Sequence, residues 1–474
     1  MIALSAEEAA AALGIAGFST GVMGISIDSR TIRPGEVFVA LRGERFDGHD
    51  FVPDVIAIGA AGVVVDSEWW DGGKNPIVEA LPRGARQAIY SVADTLDALG
   101  KLANAVRRKS QAVVIAVTGS VGKTGTKDLL GMMAARAGRV VVTPANQNNE
   151  VGVPLTILSI ELDTVVAVVE MGMRGLGQIA SLTKIAEPDV GVITNIHPVH
   201  LELLGSLEDV AKAKVEVLGG LRPSGVGVVP AECTVLEPHL VGGGKRILRF
   251  GLEEDRRCSD VWGEYERQPG CAGAWLRLHW PNGEAELRTS FSARAKMENA
   301  VAATAACYAA KLPVKECLKG LEEAVFTASR GDLERVGDWL VIDDTYNASP
   351  AAVRAAVDEL VCVAAERGAR SVAVLGDMLE LGEKSAEYHA AAGAYAAEKG
   401  VSVLWGVGSL SVATVEGFND VAGAEIAGHV ESAGDFAPVL ATLLPGDVIL
   451  FKASRSLKLE IMVGLLRKAA AGEG

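Results

Sequence analysis

Apolar residues along this chain fall into two alternating patterns. Short unbroken runs at 113–117, 139–142, 165–169 and 190–193 predict buried strands, with stretches of helical spacing between them. Val92, Leu96, Leu99, Leu102, Ala103 and Val106 predict a helix that leads into the strand at 113. Asp128, Leu129, Leu130, Met132 and Met133 predict one face of another. Strand and helix in alternation mean a parallel, doubly wound sheet. A further alternating block begins near residue 330, with strands at 339–343, 371–375, 402–406 and 447–451. Between the blocks, "RILRFGLEEDRR" through "GEAELRTSFS" predicts extra strands, and "ENAVAATAACYAAKL" predicts a helix. Ahead of them, "SIDSRTIRPGEVFVALRGERFDGHDF" and "AAGVVVD" predict short strands with polar turns. "WWDGGKNPIVEALPRG", rich in Gly, Pro and charge, marks a loop near a boundary.

The fold class is therefore α/β, in three domains. A small N-terminal α/β domain covers 1–85. A central domain, 86–328, is built on the doubly wound, mostly parallel sheet. A C-terminal, Rossmann-like α/β domain covers 329–474. The 474 residues suit three domains at about 150 residues each. Aromatic content of only 5% against 49% hydrophobic residues fits close helix–sheet packing rather than an all-β fold.

Charge and cysteine usage narrow the function. A net charge of −15 argues against a nucleic-acid surface, but leaves room for a local basic pocket. Cys233, Cys258, Cys271, Cys307, Cys317 and Cys362 form no CxxC pair and read as reduced thiols. "MIALSAEEAAAALGI" carries two glutamates and no basic segment, unlike a signal peptide. No apolar run nears the length of a membrane span. A soluble cytoplasmic enzyme is expected, read as a monomer.

The candidate chemistry begins at "VTGSVGKTGTKDLL", residues 117–130. Strand, Gly-rich turn and helix are the context of a phosphate-binding loop. Gly119, Ser120, Val121 and Gly122 would cradle phosphates, helped by the helix N-terminus. Lys123 would neutralise the outer phosphates, and the Thr124 hydroxyl would sit on Mg²⁺. The usual pattern has a glycine where Val117 stands. The plain alternative is a glycine turn with a surface lysine. Glu170, Asn195, His197 and His200 lie just past strand ends, where such sheets bind ligands. Glu170 reads as a hard oxygen ligand, a helix cap or a solvated carboxylate. From the residues alone His200 is a general base or a structural histidine. Lys214, in "VAKAKVEVL", reads as one of several solvated helix lysines.

More specific segments follow in order. These are "TPANQNNEVGVPLTIL" (143–158), "VVEMGMRGLGQIASLTKIAEPDVGVITNI" (168–196) and "HLELLGSLEDVAKAKVEVL" (200–218). Then come "DDTYNASPAAVRAAV" (343–357) and "AVLGDMLELGEKSAEYH" (373–389). With "DSR…GEVFVALRG…DGHDF" near the start, the chain resembles the Mur ligases over nearly its whole length. It is most similar to the members that join D-alanyl-D-alanine to UDP-N-acetylmuramoyl-tripeptide in peptidoglycan precursor synthesis. The resemblance implies ATP, two Mg²⁺ ions and an acyl-phosphate intermediate. It also implies that the first domain binds the UDP-sugar peptide and that the third closes over ATP and the dipeptide.

The resemblance also assigns residues. His200 becomes a ligand of the second Mg²⁺, and Lys214 the lysine carbamylated by CO₂ to give a further metal ligand; Lys212, two residues away, is the rival position. His197 matches no family position and is read as structural or as a support behind the metal ligands. Asn299, Arg330, Asp344 and Tyr346 match nucleotide contacts. Lys452 and Arg455, in "FKASR", and Asn347 match positions near the incoming dipeptide. Ser29, Arg30, Arg42, Asp47, Gly48 and His49 match the UDP-sugar segment. Asn146, Asn148 and Asn149 would present amides to the peptide stem or the phosphates, or else form a local turn.

The chain departs from the family at 293–299, where only Asn299 of an adenine-side motif survives. It also departs at "SRGDLE", at Ala453, and at "VVPAEC". Two other readings stay open: a related ligase with another amino acid or acceptor, and a non-catalytic nucleotide-binding regulator. No "DNPR"-like motif, which would favour diaminopimelate addition, is present.

Overall fold

A computed structural model describes residues 1–199, 201–240, 244–268, 273–324, 331–423 and 427–472. Three sheets organise it. The first is fully parallel, in the order Ile25–Ser26, Val37–Val39, Gly62–Asp66, Ile89–Val92. A division at residue 85 would cut its last strand away. Val92 thus belongs to a strand, not to the helix predicted from it. That helix runs Thr95–Lys109, because the Asp94 side chain caps it by accepting from the Leu96 and Asp97 N–H groups.

The central sheet has nine strands. The phosphate-loop strand, Val113–Thr118, lies between Val190–Ile193 and Thr164–Glu170, with Arg139–Val142 at the edge. The chain thus leaves Val113–Thr118 for the edge, returns beside it, then crosses to its other side. That reversal opens a crevice at the carboxyl ends of these strands. Val226–Pro230, Arg246–Leu252 and Val261–Arg267 continue the parallel array, and an antiparallel pair, Ala274–Trp280 and Gly283–Thr289, closes it. Val226–Pro230 escaped sequence reading because its short apolar stretch sits between Gly and Pro. Val114 and Ala116 enter one core cluster while Ile115 and Val117 enter another. Burial on both faces explains why these strands read as unbroken apolar runs.

The third sheet follows the order Asp332–Val336, Trp339–Asp344, Val448–Lys452, Ser371–Gly376, Val403–Val407, Ala427–Val430. It is parallel apart from its first hairpin. Separate apolar clusters cover its two faces. Central and third sheets are bridged by Arg267, which donates to Glu359 at 2.8 Å and to Glu366 at 2.8 Å on the helix Pro350–Arg367. Lys296 adds a bond to the Gly331 carbonyl at 2.8 Å. Among the described residues no helix is long and apolar enough to cross a membrane.

One buried cation ties the central layers together. Arg107, on Thr95–Lys109, is fully buried. It donates to the Ala186 carbonyl at 2.8 Å, the Glu187 carbonyl at 3.0 Å and Asp189 Oδ2 at 2.7 Å. The same Asp189 oxygen accepts from the Val114 N–H at the root of the phosphate-loop strand. Burial pushes the guanidinium down to about 10, against the pull of Asp189. Arg107→Ala would leave these acceptors bare. It is expected to destabilise the protein by about 3 kcal/mol in urea unfolding.

Candidate active site

The phosphate loop is built from backbone that only glycine permits at two points. Gly119 has φ +146° and Gly122 φ +83°. A Cβ on Gly119 would lie 1.9 Å from Thr194 Oγ1, and one on Gly122 would lie 2.4 Å from Asn299 Oδ1. Gly119 therefore provides the close approach that Val117, buried in the strand, cannot. The helix Lys123–Ala134 starts at Gly122, and the N–H groups of its first turn lack intrahelical acceptors. Thr124 is buried in that turn. Lys123 curls back, donating to the Gly119 carbonyl at 2.8 Å and the Ser120 carbonyl at 3.2 Å.

A second loop braces the first. The Val121 N–H donates to Asn195 Oδ1 at 2.9 Å, and Asn195 Nδ2 returns a bond to the Val121 carbonyl at 3.0 Å. The Ser120 N–H is taken by the Asn195 carbonyl, and its hydroxyl by the His197 carbonyl. The amides of Ser120 and Val121 are thus committed to the brace, which leaves the helix start and Lys123 as the candidate anion contacts. His197 is half-buried, and burial pushes its imidazole pKa down.

Glu170 ends its strand in register with Val117. It is 1% exposed and no helix begins until Gln178, so it is neither a cap nor a solvated carboxylate. Asn148 Nδ2 donates to Oε1 at 2.7 Å, while Oε2 has no hydrogen-bond partner. The buried Thr118 Oγ1 on the neighbouring strand end is also unpartnered. Two dry oxygens beside a phosphate loop suit a hard cation, and Mg²⁺ needs only one or two carboxylates when phosphates complete its shell. This is consistent with the lack, among the described residues, of any cluster of three His, Cys, Asp or Glu.

Lys214 lies on Leu207–Gly219 and is 1% exposed. It is not the solvated lysine its sequence suggested; Lys212 is, paired with Asp209 at 2.8 Å. Burial, and next the charge of Lys123, pushes the Lys214 amine well below the usual lysine range. His200 and Arg330 fall outside the described residues.

Known proteins match this arrangement. Three family models cover most of the chain: "Mur ligase family, catalytic domain" at 21–107, "Mur ligase middle domain" at 117–307, and "Mur ligase, glutamate ligase domain" at 331–455. The UDP-N-acetylmuramoyl-tripeptide–D-alanyl-D-alanine ligase of Bacillus subtilis is 33% identical over 94% of this chain and 93% of its own. The chain belongs to the Mur ligase family. The ligase of the same name from Escherichia coli is 31% identical over 84% of each chain. A crystal structure of MurF from Acinetobacter baumannii superposes with a TM-score of 0.85, at 31% identity, covering 98% of this chain and 99% of that one. MurF ligase from Thermotoga maritima in complex with ADP gives a TM-score of 0.81 at 25% identity, over 95% and 98%.

The other expected residues of this Mur ligase divide into exposed groups and internal fasteners. In the first domain Arg42 faces Asp47 at 3.4 Å, Asp66 at 3.2 Å and Glu68 at 3.4 Å, and stays half-exposed. Arg30 is mostly exposed and forks onto Asp28, while Ser29 lies between them in sequence. His49 is fully buried. Its Nδ1 meets Asp47 at 2.6 Å and its Nε2 accepts from the Asp66 N–H, so it fastens the turn. Gly48 lets that turn press on Leu41, whose backbone would lie 2.8 Å from an added Cβ. Of the three asparagines, Asn148 holds Glu170, Asn149 Oδ1 accepts from the Val151 and Gly152 N–H groups as a helix cap, and Asn146 is exposed.

The third domain repeats this division. Lys452 is 2% exposed and pairs with Asp344 at 2.6 Å while donating to the Asn347 carbonyl. It fastens the Asp344 loop. Arg455 is well exposed beside Glu460 at 3.0 Å. Tyr346 is half-buried, and the exposed Asn347 turns its side chain onto the Ala348 N–H. Asn299 packs on the phosphate-loop helix, accepting from Thr126 at 3.2 Å. Sequence reading passed over Lys127 and Thr118. Lys127 stands four residues after Lys123, the spacing that puts two side chains on one helix face. Replacing Gly119 with alanine is expected to weaken nucleotide binding at least about tenfold in a titration with a fluorescent ATP analogue, without unfolding the sheet.

Proposed function

We propose that this chain joins D-alanyl-D-alanine to UDP-N-acetylmuramoyl-tripeptide at the expense of ATP, giving ADP and phosphate. The observation that carries the reading is the joint presence of the phosphate loop with Lys123 and a dry, half-satisfied Glu170 at one switch point. Relatives named for this reaction match over nearly the full chain.

The chemistry follows from electrostatics. A carboxylate is a poor electrophile, and its oxygen becomes a leaving group once phosphorylated. That step brings two anions together. Lys123 would swap its carbonyl partners for phosphate oxygens and spread their charge. Thr124 and Glu170, with His200 and Lys214, would hold Mg²⁺, which supplies charge neutralisation between the phosphates. The dipeptide amine then attacks the acyl phosphate, and the tetrahedral adduct expels phosphate. The Asp344–Lys452 loop would contact the nucleotide when the third domain closes, which keeps water from the acyl phosphate.

The three sheets carry the division of labour: the first, through Val92, for the UDP-sugar peptide; the central one for ATP; the third for closure and the dipeptide. Arg42 is the best-placed diphosphate contact in the first, because a guanidinium can fork onto two oxygens. We place the enzyme in the cytoplasm, where its nucleotide is made, acting as a monomer.

Lys214 is proposed to carry a carbamate. Burial and the nearby charge of Lys123 disfavour the ammonium form, and the neutral amine is the form that adds to CO₂, releasing one proton and leaving an anionic oxygen pair. The product faces a cation instead of repelling one.

Phosphate release with ATP, Mg²⁺ and the UDP-tripeptide should require D-alanyl-D-alanine, with a product heavier by that dipeptide less water. Release without such a product would point to another acceptor. Lys123→Ala is expected to abolish turnover; surviving activity would remove the phosphate-loop assignment. In ¹³C-bicarbonate the wild-type enzyme should show a carbamate carbon resonance that Lys214→Ala lacks.

A further inference from the structure

Glu170 presents a mechanical problem that its own strand does not solve. A carboxylate can rotate, yet only one of its oxygens is left open here. Oε1 is tied to Asn148, and Oε2 is buried with no hydrogen-bond partner. What holds Asn148 in place is a loop, 143–149, that contains a non-glycine residue in left-handed conformation, Ala145 at φ +46°. That loop is gripped from the phosphate-loop helix by Lys127. Its ammonium is 2% exposed and donates to the Thr143 carbonyl at 3.1 Å and the Ala145 carbonyl at 3.0 Å. Glu170 Oε2 lies 4.0 Å away and Asp128 Oδ1 lies 3.1 Å away. The Thr143 hydroxyl, in turn, accepts from the Glu170 N–H at 3.0 Å.

We infer that Lys127 and Asn148 form a two-point mount for Glu170, fixing which carboxylate oxygen faces the phosphates. Lys127 anchors the loop to the helix that carries Lys123 and Thr124, so loop, carboxylate and phosphate cradle keep one geometry. Both are positioning residues, acting through Glu170. The inference rests on the metal reading given above.

The test is Mn²⁺ binding to the ATP-loaded enzyme, followed by electron paramagnetic resonance with no turnover required. Lys127→Met and Asn148→Ala are each expected to raise the Mn²⁺ dissociation constant about tenfold or more. The double variant should lose little beyond the worse single one, because both act on the same carboxylate. Lys127→Arg, which keeps a cationic donor, should fall between wild type and Lys127→Met. In turnover the half-saturating Mg²⁺ concentration should rise while the KM for the UDP-tripeptide stays fixed. If Lys127→Met does not fold, Asn148→Ala alone decides. Unchanged or tighter Mn²⁺ binding in either folded variant overturns the mount, as does a double variant that loses the product of both effects. A wild-type enzyme that binds no Mn²⁺ with ATP overturns the metal reading itself.

Discussion

Two anions must be brought together in a place that excludes water, and the crevice is arranged around that cost. In a dry site both attraction and repulsion between charges grow several-fold over their values in water. Lys127 lies beside the Glu170 carboxylate and Lys214 is set near Lys123, and each of the three lysines is accommodated differently. Lys123 rests on two loop carbonyls, Lys127 on two others and on Asp128, and burial pushes the Lys214 amine well below the usual lysine range.

The sheet is what permits such a cluster. Strands that leave Val113–Thr118 on opposite sides deliver Glu170 and the 194–197 brace to the same end from separate parts of the chain. The Asn195 side chain grips the Val121 peptide from both directions, so the loop is held before any ligand arrives. Preorganisation of this kind means binding energy is not consumed in ordering the cradle.

Much of this was legible in the sequence. The strands at the crevice appear as apolar runs because both faces of the central sheet are covered, and the phosphate loop follows from glycine chemistry. The family segments directed attention to Glu170 and Lys214. Burial was not legible: nothing in "VAKAKVEVL" separates the hidden Lys214 from the solvated Lys212, because the two differ only in which helix face they occupy. The burial of His49 and Lys452 was hidden in the same way. A polar residue in a motif serves either the ligand or the loop that meets the ligand, and only packing distinguishes them. The strands Val226–Pro230 and Ala427–Val430 were missed because they are short and each carries a glycine inside it, which interrupts the apolar run.

The distribution of apolar clusters has a consequence for how the molecule comes apart. One cluster runs without a break from Ile2 and Leu4, through Val37, Val39 and Val64 of the first sheet, across Leu99 and Leu102, to Val114 and Val169 of the central sheet. The third sheet has its own cores on both faces and meets the rest chiefly through polar bridges such as Arg267. Melting should therefore follow cores rather than functional domains. The first and central sheets form one cooperative unit, and the third forms another, free to swing while the other two stay fused.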